Sequence, residues 1–158
     1  MKYALTVNAD HYQFYLEDVK VEHDYSLLWN KQQTHPDRMD VLPGLIAVST
    51  GRYGGDVPVS VEVHETPPED DNFDHWDHII ECSIEVRAGR LALTSPDDYG
   101  DNAATFDLKP GVYQARVYYG ALDSVRGSAE MDGDDHYAIT LWPGTSLQPR
   151  ILKCKPRP

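Results

Sequence analysis

Two stretches near the end of the chain, GVYQARVYYG (residues 111–120) and HYAITLWPG (residues 136–144), change side-chain character at every second position. In the first, Val112, Gln114, Arg116 and Tyr118 share one face, and Tyr113, Ala115, Val117 and Tyr119 share the other. In the second, Tyr137, Ile139 and Leu141 oppose Ala138, Thr140 and Trp142. A helix would scatter these sets around its circumference, whereas a strand sorts them onto two faces. Pro-Gly pairs at 110–111 and 143–144 bound the stretches as turns. Two strong strands joined by an acidic loop are predicted here, and the rest of the chain must supply sheets for them.

The same period recurs upstream. Lys2 to Val7 reads as a strand, and HYQFYLEDV at residues 11–19 places Tyr12, Phe14 and Leu16 on one face. The Asn-Ala-Asp turn between them predicts an opening hairpin. Residues 19–43 are less regular. Asp24 or Ser26 can cap a short helix around Leu27, Leu28 and Trp29, Pro36 and Pro43 rule out a long one, and the segment is expected to cross between sheets or cover an edge.

Gly44 to Ser49 forms a strand. Val57, Val59, Val61 and Val63 mark the next, with Pro58 arguing for an edge or terminal position. His78 to Val86 and Arg90 to Thr94 alternate around the Arg-Ala-Gly turn, which predicts a second hairpin. Residues 104–111 return toward the central strands, and residues 146–153 add a short edge strand.

The expected fold is all-β: an antiparallel two-layer β-sandwich of about eight or more strands, with at most one or two short helices. No repeat or linker divides residues 1–158, so one sandwich domain is expected, with a small barrel as the competing architecture.

The formal net charge is −12. That balance repels nucleic-acid phosphates and anionic membrane surfaces and favours a cationic partner. No apolar leader-like run opens the sequence and no stretch reaches membrane-spanning length, so a cytoplasmic location is expected. Cys82 and Cys154 form no CxxC pattern and read as unpaired thiols, Cys82 on a core face.

Polar clusters yield no complete catalytic or metal motif. Asp70, Asn72, Asp74 and Glu81 have partial calcium-loop spacing, but His75 stands where that loop needs glycine. Asp97, Asp98, Asp101, Asp132, Asp134 and Asp135 read as wet loop carboxylates. The histidines at 11, 64, 75, 78 and 136 show no HExxH pattern, and neither a G-x-S-x-G elbow nor a phosphate-cradling glycine loop occurs. No catalytic, metal-ligating or cofactor-binding residue is assigned, and no cofactor is expected.

Two islands carry a likeness to a known family: His11, Gln13 and Phe14 near the start, and Phe106, Asp107, Leu108, Gly111, Tyr113 and Gln114 later, with HIIECSIEVRAGRLALTS between them. Their order resembles the bacterial competence protein J family. The resemblance implies inhibition of a DNA-uptake nuclease by protein binding.

An acidic inhibitor can occupy the electrostatic field with which a nuclease attracts DNA. Aromatic side chains would supply desolvated contact area. Trp76, Asp132, Asp134, Asp135 and Trp142 are therefore the candidate protein-binding residues. The expected partner is a basic protein such as a nuclease or toxin, without direct nucleic-acid or membrane binding. A carbohydrate- or small-ligand-binding sandwich is the alternative, and a hydrolase ranks third.

Overall fold

The computed structural model describes residues 1–69, 72–98 and 103–157. Its strands are β1 (Lys2–Ala9), β2 (Gln13–Asp18), β3 (Met39–Leu42), β4 (Leu45–Ser49), β5 (Gly55–Val63), β6 (His78–Val86), β7 (Arg90–Thr94), β8 (Ala104–Asp107), β9 (Gly111–Gly120), β10 (His136–Pro143) and β11 (Arg150–Lys153). They form a six-stranded sheet in the order β1-β5-β10-β9-β6-β11 and a five-stranded sheet in the order β3-β4-β2-β7-β8. The two sheets stay separate, so no barrel closes. The only α-helix among the described residues is α1 (Thr34–Asp37).

The core lies between the inner faces. Val7, Val59, Val61, Ile80, Cys82, Val117 and Ile139 of the first sheet meet Phe14, Leu16, Ile46, Val48, Leu91 and Leu93 of the second. Burying each such aliphatic or aromatic side chain contributes roughly 1.5–3 kcal/mol. The predicted β9–β10 pair is present, with Tyr137 opposite Tyr119 and Ile139 opposite Val117. The C-terminal strand β11 forms the expected edge, beside β6.

Neither predicted hairpin joins neighbours in one sheet. Asp10 and Gln13 do exchange backbone hydrogen bonds of 3.2 and 3.1 Å around His11 and Tyr12, both at positive φ. Beyond that single bridge the chain splits: β1 pairs with β5, while β2 pairs with β4 and β7. The apolar rows of β1 and β2 face each other across the core, which side-by-side pairing would prevent.

The turn at residues 87–89 is likewise a corner between sheets. β6 pairs with β9 and β11, whereas β7 pairs with β2 and β8. The buried Asp18 carboxylate pins this corner, accepting from the backbone N–H of Arg87 at 2.6 Å and of Ala88 at 3.2 Å. Gly89 completes it at φ 74°, a conformation that side chains with a Cβ rarely adopt.

One pair departs from the antiparallel expectation: β10 runs parallel to β5. That places β5 between β1 and β10, so it is not an edge. Pro58 is tolerated by its position. Val63 donates to Met1 on the β1 side and His64 to Leu141 on the β10 side, so even-numbered N–H groups of β5 point toward β10. The missing donor of Pro58 thus faces β10 just before that ladder opens at Val59.

Residues 19–43 stay with the second sheet instead of crossing to the first, covering one of its faces and, through β3, the flank of β4. Leu28, with Trp29 and Leu42, packs on Tyr15, Leu45 and Ala47 of the second sheet as a smaller apolar cluster. Asp24 caps the 3₁₀ turn at Tyr25–Leu27 by accepting from Ser26 N–H at 3.1 Å. The segment ends in β3, which sequence periodicity did not reveal and which pairs with β4 across Pro43-Gly44.

Candidate protein-interaction surface

The loop between β9 and β10 carries three neighbouring carboxylates with different environments. Asp132 and Asp134 are 69% and 76% exposed at the side chain and share Arg126, at 3.2 and 3.7 Å. Exposed ion pairs of this kind are weak and screened by salt, which leaves both carboxylates open to a competing cation. Arg126 also bridges Asp132 through the backbone, so residues 126–132 form a projecting tip.

Asp135 is different, and its assignment as a contact residue is corrected. It is fully buried. Arg52 donates to its Oδ1 from Nε at 2.8 Å and from Nη2 at 2.7 Å, and the Tyr137 hydroxyl donates to Oδ2 at 2.6 Å. Burial, and then the Asp135 charge, raise the Tyr137 phenol well above its ordinary value. This carboxylate fastens β10 to the loop before β5, and no partner can reach it.

The two tryptophans also part company. Trp142 is 3% exposed. The Arg116 guanidinium lies over its ring at 5.2 Å, and its indole N–H donates to Gln114 at 3.1 Å. Arg116 is fixed in turn by Glu81 at 2.8 Å, and Glu81 also holds Arg150 at 2.8 Å. The outer face of the first sheet therefore uses Trp142 internally, which corrects its reading as exposed contact area. Trp76 is half-buried, packed on Tyr118 at 5.2 Å and His136 at 5.3 Å. With Ala4, Pro58 and Ser60 it lines a shallow recess of about 180 Å³. The His136 ring touches the Asp134 carbonyl at 3.0 Å, so the Trp76 recess adjoins the acidic loop.

The structure exposes further aromatic and apolar side chains that the sequence did not single out. Tyr12 and Met131 are 39% and 48% exposed. Tyr12 stands edge-on to Tyr53 at 5.3 Å, and His11 lies 5.2 Å from the same ring. The Tyr12 hydroxyl donates to Glu130, and that hydrogen bond is the largest cause of its raised pKa. Tyr53 N–H donates to the Glu130 carbonyl at 2.7 Å, while Met131 lies over Gly54, whose missing side chain leaves it room. The result is an exposed aromatic and thioether surface rimmed by Glu130, Asp132 and Asp134. The available signal was the pair His11-Tyr12 in a turn, where apolar rings have no core to enter.

The other polar clusters do not converge. Among the described residues, no group of three or more His, Cys, Asp or Glu side chains could hold a metal ion. Asp70 and Asp101 lie outside the described residues. Asn72 caps the Asp74 N–H at 2.9 Å. Cys82 and Cys154 are both free thiols, and burial pushes the Cys82 thiol up. His78 is buried, accepting from Lys155 N–H at Nδ1 and facing the Asp37 carbonyl with Nε2.

Fold and surface together define a two-sheet β-sandwich with an acid-rimmed aromatic end. Among solved structures, the fold is similar to that of ComJ, inhibitor of the DNA degrading activity of NucA, from Bacillus subtilis. The TM-score is 0.69 at 11% sequence identity, covering 90% of this chain and 96% of that one. It is also similar to a protein described as crocagin biosynthetic gene J, with a TM-score of 0.63, 16% identity, and 92% and 98% coverage. No protein-family model matches the chain, and the search of curated proteins found no relative. The likeness is one of fold.

Proposed function

We propose that this chain is an acidic protein-binding domain that obstructs a nuclease bearing a basic DNA-binding face, without turnover of its own. The observation that carries the reading is the surface of exposed Tyr12 and Met131 around half-buried Tyr53, beside Glu130, Asp132 and Asp134. Aromatic and thioether side chains supply contact area that excludes water, and the surrounding carboxylates steer a cationic surface into register. The net charge of −12 extends that attraction beyond contact distance. The ComJ-like fold supports the same reading, because ComJ is an inhibitor of a DNA-degrading activity.

The test is capture and inhibition together. The full chain is immobilised and offered NucA and other basic nucleases at graded salt, and DNA cleavage is then measured with and without the chain. The expected result is salt-sensitive capture with loss of cleavage, and no cleavage by the chain alone. Absence of capture of every basic nuclease at low salt would overturn the reading.

A second reading, small-ligand binding, rests on the Trp76 recess. Ligand-dependent shielding of Trp76 fluorescence with no nuclease capture would favour it.

A further inference from the structure

The chain has eight arginines, and six of them hold a carboxylate at 2.7–3.3 Å: Arg52, Arg87, Arg90, Arg116, Arg126 and Arg150. Among the described residues, Arg38 and Arg157 hold none. Arg38 is 9% exposed, and its guanidinium donates only to the Lys155 carbonyl, at 3.4 and 3.3 Å. Arg157 donates to Ser49 Oγ at 3.1 Å, while its Nε is buried with no partner. Burial, and after it the nearby Arg38 charge, lower Arg157 from its ordinary value.

Such an arrangement is unfavourable as it stands. Buried charges are ordinarily paired, and two like charges brought together repel. Acidic side chains are not scarce, since the chain has 26 of them, yet among the described residues none lines the recess at Arg157. A recess of about 280 Å³ opens at Arg157, lined also by Trp29, Lys31, Thr34, His35 and Ser49. That volume lies near the lower end of small-molecule pockets, roughly 300 Å³. Trp29 is held in place by its N–H groups, the backbone to Asp40 and the indole to Gln13, each at 2.9 Å. It keeps this position at φ 68°, a left-handed conformation that is unusual for a bulky residue.

We infer that this recess binds a small oxyanion, a phosphate or carboxylate group, on the guanidinium of Arg157, with Lys31 at the rim and the charge of Arg38 beside it. A guanidinium presents its N–H groups in a fixed planar fork that matches either oxyanion. The neutral contacts of Arg38 and Arg157 hold the C-terminal segment in place without neutralising it. An anion would do both.

The experiment is calorimetric titration of the full chain with inorganic phosphate and, separately, with acetate, at fixed ionic strength in chloride. Trp29 fluorescence is recorded in parallel, with Trp29→Phe assigning the signal. Wild type should bind at least one anion saturably at about one site per chain. Arg157→Met, which keeps the apolar stem, should weaken that binding at least tenfold, and Arg87→Gln, an exposed arginine elsewhere, should leave it unchanged. Preference for phosphate points to a phosphorylated ligand, and preference for acetate to a carboxylate. No saturable binding of either anion, or equal binding by wild type and Arg157→Met, would overturn the inference. Circular dichroism checks the fold of Arg157→Met. If that variant does not fold, Lys31→Gln takes its place, with at least threefold weakening expected and unchanged binding counting against the site. Nuclease capture is scored separately, so either proposal can fail alone.

Discussion

Arg52 and Asp135 form an ion pair sealed inside the sandwich, Nη2 to Oδ1 at 2.7 Å, with side-chain exposures of 8% and 0%. Arg52 also donates to the Gly133 carbonyl at 2.7 Å and the Asp56 carbonyl at 3.2 Å. Removing one partner strands the other charge away from water. Asp135→Ala is expected to destabilise the fold by about 3–5 kcal/mol. Urea unfolding of wild type and variant measures it, and a loss below about 1 kcal/mol would contradict the structural role.

Asp132 and Asp134 should behave in the opposite way. Asp132→Asn with Asp134→Asn is expected to move the melting temperature by less than about 2 °C, because exposed pairs contribute little. The same double variant should weaken capture of a basic nuclease several-fold and flatten its salt dependence. Calorimetry and capture at two salt concentrations check both halves.

Trp142 and Trp76 give a second contrast. Trp142→Ala removes a buried ring from beneath Arg116 and should cost about 3 kcal/mol. Trp76→Ala opens only a shallow recess and should cost less than about half as much. Denaturant midpoints of the two variants settle the order, and equal losses would show that Trp76 is also internal support.

His78 makes the fold sensitive to mild acid. Burial lowers its pKa below the ordinary 6.5, the main opposing influence being its contact with the Asp37 carbonyl. Protonation therefore favours the unfolded chain, so this contribution is complete above about pH 6.5 and declines as pH falls below it. Nδ1 also accepts from Lys155 N–H at 3.1 Å, a bond that a protonated ring cannot make. Melting temperature should fall between pH 7.5 and 5.5 in wild type. His78→Leu should start lower at pH 7.5 and show a shallower slope.

The strands were legible because their period is local. Pairing was not. At Asp10–Gln13 and at residues 87–89 the turn chemistry is present, yet each turn passes the chain between sheets. A turn residue controls backbone direction over a few positions and says nothing about which sheet will bury the next apolar row. The short β3 lacked the length for a visible alternation, and Pro58 misled because its effect depends on which way one N–H points.

The site was legible to the same extent. Asp132, Asp134 and Asp135 look alike in sequence, and the buried pairing with the distant Arg52, supported by the Tyr137 hydroxyl, separates the last from the others. Trp142 shares an outward face with Arg116, but outward on a sheet is not exposed once a guanidinium lies over the ring. Tyr12, Tyr53 and Met131 come from three separate segments and meet only through the fold.

The parallel contact of β5 with β10 joins residues 59–63 to residues 137–141. During synthesis β5 must wait for β10 to leave the ribosome, its backbone flank unpaired while the residues between them are made. Exposed strand flanks of that kind invite pairing between nascent copies. A chain stopped before His136 would keep that vulnerability permanently, and its expected fate is aggregation rather than a smaller working sandwich.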